Sequence, residues 1–169
     1  MIRGQKLDRR RPNVSLHRKS GGPKQTHHPV YHKQWLAMLQ EQLRQSLDDG
    51  ITRLQIGGAR GVLFKVTLLA YGYTFISKGT VRAFIRDLEH EAAVYRRLRL
   101  IQGVHIPVFL GAIDLQQMKK IYYYDHRVYV VYMTFLSWGG CSVTEAEGHS
   151  VTATWLEQEA TRSLQAVHR

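Results

Sequence analysis

Apolar residues fall at four-residue steps through 32–48, at Trp35, Leu39, Leu43 and Leu47. That spacing puts them on one side of an α-helix, and Gly50 is placed to stop it. From Ile51 the pattern turns β-branched and aromatic, in "ITRLQIGGARGVLFKVTLLAYGYTFIS". Two or three strands fit this run, broken at Gly57–Gly61 and near Gly72. A helical stripe returns over about 81–99, with Thr80 as its expected N-cap and a stop before Gly103. "IPVFLGAIDL" and "KIYYYDHRVYVVYMTFL" read as strands, with Asp125, His126 and Arg127 at a hairpin turn. "SWGGCS" reads as a loop. "TWLEQEATRSLQAVHR" reads as a last helix with the stripe Leu156, Ala160, Leu164 and Val167. No internal repeat interrupts this order. It predicts an α+β fold, a mainly antiparallel sheet with one crossing helix.

The helix over 81–99 holds an anomaly. Its apolar stripe runs Phe84, Leu88, Tyr95 and Leu98, and Glu91 sits in line with them. An inward carboxylate is costly unless something pairs it. Two features upstream suggest the partner. "QIGGARGVL" places Gly58, Gly61 and Leu63 as the second glycine, third glycine and valine of a G-x-G-x-x-G-x-V hairpin, with Ile56 in the first-glycine place. Glycines there let backbone N–H groups approach phosphates, although a plain hairpin turn explains a short glycine cluster equally well. Seventeen residues after Gly61 comes Lys78, in "FISKGT". A strand lysine held by a carboxylate on the next helix is the arrangement that steadies ATP phosphates in kinases. Lys65 follows the glycines too closely for that role.

On these residues the chain resembles a group of protein kinase-like proteins of filamentous fungi. The likeness runs from about Leu54 to Arg169 and is carried by "GVLFKVTLLAYGYTFISKGT", "HEAAVYRRLRLIQGVHIPVFLGAIDL" and "YYYDHRVYVVYMTFLSWGGCSV". The resemblance implies a kinase-like small lobe, an antiparallel sheet plus helix C, over 51–136. It implies a hinge near Met133 to Gly140, where adenine would meet backbone groups. It also implies that 137–169 hold this hinge and the first helix of a truncated large lobe. The expected cofactor contacts are therefore Gly58, Gly61, Lys78, Glu91 and Met133, for weak ATP binding. None of the nine histidines is followed two positions later by Asp, and no D-F-G or A-P-E occurs. No catalytic residue and no metal site is expected, and the chain alone is expected to be inactive as a kinase. Two rival readings are a pseudokinase-like interaction module, binding a protein through the face a large lobe would cover, and a basic nucleic-acid binder. Nucleic acid is the less expected partner.

Composition adjusts this picture slightly. The chain of 169 residues carries a formal charge of +11, but eight Lys or Arg against one acid fall in residues 1–30. That segment reads as a disordered basic leader, with 31–50 as a separate N-terminal helix. A nucleic-acid or import patch at Arg9–Arg11 is the alternative for the leader. The single cysteine, Cys141, excludes an internal disulfide. With no long apolar run and no secretory signal pattern, an intracellular protein, cytoplasmic or nuclear, is expected. His27, His28 and His32 form a histidine cluster, but Pro29 disfavours a helix presenting them to a metal.

Overall fold

Strand β1 (Ile51–Gly58) turns through Ala59 and Arg60 into β2 (Gly61–Leu68), and β3 (Tyr73–Thr80) follows after a second tight turn. The computed structural model describes Arg18, residues 26–138 and residues 153–168. After β3 a 3-10 turn (Arg82–Phe84) leads into a helix, Ile85–Arg97; β4 (Phe109–Asp114) and a 3-10 turn (Leu115–Met118) come next. Strands β5 (Tyr122–Asp125) and β6 (Val128–Val130) form a small ribbon, and β7 (Tyr132–Ser137) completes the main sheet. That sheet has five strands in the order β1-β2-β3-β7-β4, and all its neighbours are antiparallel. The three described α-helices are α1 (His32–Gln45), α2 (Ile85–Arg97) and α3 (Ala153–Val167).

Period-two alternation gives the sheet two unlike faces. Along β3, Tyr73, Phe75 and Ser77 point into the core, whereas Thr74, Ile76 and Lys78 stay half-buried. Helix α1 covers the core face through Trp35, Leu39 and Leu43, the residues whose four-residue spacing predicted it. The Trp35 ring stands edge-on to Phe75 at 4.9 Å and to Phe135 at 6.4 Å. The helix ends at Gln45, short of the expected 48, because Ser46 Oγ accepts the N–H groups of Asp48 and Asp49 and turns the chain. Gly50 then adopts φ +76°, and a Cβ there would stand 2.5 Å from the Thr67 carbonyl oxygen.

The expected leader overreaches at its end. Val30 is 3% exposed and belongs to the core. A ring nitrogen of His28 lies 2.8 Å from the Tyr73 hydroxyl, and Nε2 of His32 lies 2.7 Å from the Leu110 carbonyl. These imidazoles pin the chain onto the sheet. The rest of the leader, apart from Arg18 and residues 26–30, lies outside the described residues, as do residues 139–152 of the expected hinge loop.

Thr80 does not cap α2. It ends β3, and its hydroxyl donates to the Arg60 carbonyl at 2.6 Å. The 3-10 turn stands between it and the helix. Helix α2 lies against β4, where Tyr95 stacks on Phe109 at 5.9 Å and the Arg96 guanidinium sits 5.3 Å from the same ring. The ribbon β5–β6 packs across the sheet's other end. Arg53 donates to the Tyr122 hydroxyl at 3.1 Å and to the Tyr123 carbonyl at 2.9 Å. On α3 the side chains of Trp155, Leu164 and Val167 are exposed. No described helix is long and apolar enough to cross a membrane.

Candidate functional site

Antiparallel register builds the site. Lys78 pairs with Leu63 on β2 and Thr134 on β7, and Thr134 pairs with Ala112 on β4. These residues therefore share one row across the half-buried face. Ile76, Leu136 and Phe109 form the next row. Helix α2 approaches this same face. It buries Leu88 and Ala92, and Glu91 on the same side reaches the sheet. The Lys78 ammonium donates to Glu91 Oε2 at 2.6 Å. The sequence anomaly thus has a partner: the carboxylate lies in the apolar stripe because it meets a lysine thirteen positions earlier. Tyr95, one turn further along α2, has its phenol pKa raised by burial, with the Glu91 charge adding to the effect.

The glycine hairpin closes over the end of this row. A Cβ on Gly61 would stand 2.9 Å from the Gly79 carbonyl and 3.5 Å from Cγ and Cε of Lys78. The bare backbone at 61 therefore lets the lysine stem lie alongside it. Gly58 faces open space, with nothing within 4 Å of an added Cβ. Where the glycine pattern departs, at Ile56, the strand is irregular. The β1–β2 register shifts between Arg53 and Gly57, and Gln55 has φ +54°. Ile56 itself is exposed.

Met133 does not join this group. It is fully buried in the middle of β7, opposite Gly79 and Ile113, and its side chain points to the core face. The aromatic and β-branched run spans three strands, so the third one, β7, continues to Ser137, into the segment expected as the hinge. Three contributors escaped the sequence reading. Thr80 ties the hairpin tip to β3, Arg60 reaches Asp87 at 3.3 Å, and Asp87 lies in the first turn of α2. Asp87 lies one turn before Glu91, so helical spacing was the available signal for it. Nothing comparable marked Thr80 or Arg60. Among the described residues no group of three or more His, Cys, Asp or Glu side chains could hold a metal ion.

Chemically, the arrangement offers one positioned ammonium and a hairpin backbone close to it, on a sheet face with apolar neighbours. The protein is thus an α+β protein with a five-stranded antiparallel sheet, in which a strand lysine is held by a helix glutamate. Among curated proteins it is similar to the meiotic driver SPOK2 of Podospora anserina, with 39% identity over 165 residues. The match covers 92% of this chain and 20% of that protein, so the chain spans about a fifth of its relative's length. No family model and no solved structure matches the chain.

Proposed function

We propose that this chain carries the small lobe of a protein kinase-like domain and that its Lys78 face makes weak contact with ATP. The observation that supports this reading is the 2.6 Å contact between Lys78 on the third strand and Glu91 on the following helix. A lysine so held presents its remaining N–H donors to phosphate oxygens in a fixed place. The hairpin Gly58–Gly61 would supply backbone donors, and Leu63 and Ile76 an apolar bed for the base. Adenine contact moves in this reading from Met133 to the end of β7. The sequence contains no H-x-D and no D-F-G, so phosphoryl transfer and magnesium binding of the usual kinase kind are not assigned to its residues. The 39% identity to a fifth of a meiotic driver supports the further reading that the segment works as one module of such a protein.

Titration with a fluorescent N-methylanthraniloyl ATP tests the proposal. Saturable binding is expected, weakened about tenfold in Lys78→Met, which corresponds to roughly 1.4 kcal/mol for a lost charge-assisted contact. Glu91→Gln should weaken it less. No saturation, or affinity indifferent to both changes, rules out the nucleotide role and leaves the face as a protein-docking surface.

A further inference from the structure

A cavity of about 330 Å³ opens beside the glycine hairpin. Its walls come from the hairpin, the end of β3, the 3-10 turn before α2 and the β5–β6 ribbon. Val62 pairs with Gly79, and both belong to the sheet face that carries Phe64, whereas Lys78 belongs to the other. Lys78 and Glu91 do not line the cavity.

We propose that this cavity, which shares Gly58 and Gly61 with the nucleotide reading but neither Lys78 nor Glu91, is a second binding site for a small aromatic or aliphatic carboxylate. Val62, Val81, Phe84, Val128 and Val130 make its walls apolar, and its volume suits a ligand smaller than a nucleotide. Arg60 and Arg127 are the charged residues on its lining. Arg60 already shares its charge with Asp87 at 3.3 Å. Arg127 has no ion pair with an acidic side chain among the described residues, and the nearby Asp125 carboxylate accepts the His126 N–H at 2.7 Å. An apolar body therefore finds apolar walls, and an acid group on it finds a guanidinium with spare donors. Arg127 also holds φ +61°, a conformation that Asn or Gly adopts more easily.

The test uses the whole chain with 2-naphthoate and its neutral counterpart 2-naphthylmethanol, followed by amide NMR shifts and calorimetry. Naphthoate should bind saturably, about five- to tenfold more tightly than the alcohol, as one charge-assisted contact implies. Shifts should centre on residues 58–62, 79–84 and 127–130. Arg127→Asn keeps a residue suited to the backbone turn and should abolish the preference for the acid. Lys78→Met should leave naphthoate affinity unchanged while it weakens ATP contact about tenfold. Equal affinity for acid and alcohol, shifts centred on the Lys78 face, or no saturation would each overturn the proposal.

Discussion

Glu91 meets Lys78 at 2.6 Å while neither side chain is buried: the lysine keeps 31% of its surface open and the glutamate 32%. A pair this wet contributes about 1 kcal/mol or less to stability, because water already solvates both charges well. Glu91→Gln is therefore expected to shift the urea unfolding free energy by no more than about 1 kcal/mol. A loss above about 3 kcal/mol would class the pair as a buried structural bridge.

The two glycines of this region should respond differently to the same change. A Cβ at Gly79 would stand 2.7 Å from a methyl of Val130 and 2.8 Å from the Phe64 ring, whereas Gly58 has open space. Gly79→Ala is expected to cost about 1–3 kcal/mol through overpacking. Gly58→Ala should alter stability by about 0.5 kcal/mol or less, as surface changes do. Thermal unfolding of the two variants measured side by side separates these outcomes; equal midpoints would contradict the close packing of the ribbon on β3.

Alkali should weaken the fold through Tyr73. Burial, with the Tyr71 charge adding to it, pushes the Tyr73 phenol up to about 12 from its ordinary value near 10. Between these values the unfolded chain gives up a proton that the folded chain keeps, so stability falls as pH rises from 10 to 12. Tyr73→Phe removes that contribution and should flatten the decline. Denaturation midpoints across this window, compared with the wild type, provide the measurement.

Val30 gives a direct check on where the body of the protein begins. Its 3% exposure places it in the same core as Trp35 and Tyr73. Losing two buried methyl groups in Val30→Ala should lower stability by about 1–2 kcal/mol. A change within error would return residues up to 30 to a dispensable leader.

Much of the fold was legible because its signals are local. Leu39 and Leu43 sit one turn apart and mark a helix, and Gly57–Gly61 and Gly72 mark turns between β-rich runs. Glu91 was legible for a different reason: a charge inside an apolar stripe requires a partner, and the spacing to Lys78 supplied one. The misreadings share a non-local cause. Thr80 looks like a helix cap until the Arg60 carbonyl, twenty positions earlier, is found within 2.6 Å. Val30 looks like leader until the sheet beneath it is in place. Met133 was expected at the start of a hinge because the aromatic run 121–137 hides three strands, and only pairing partners place it inside the last of them.

The strand order has a consequence for how the protein is made. Strand β7 lies between β3 and β4, yet it is the last of the sheet's strands in the chain. Until Tyr132–Ser137 have been synthesised, β3 and β4 each present a bare hydrogen-bonding edge, with no neighbour to fill the gap between them. Such edges invite pairing with other chains. The nascent polypeptide is thus most vulnerable to mispairing during translation of the stretch from β4 to β7, and synonymous codons that slow the ribosome there would lower the yield of correctly folded protein.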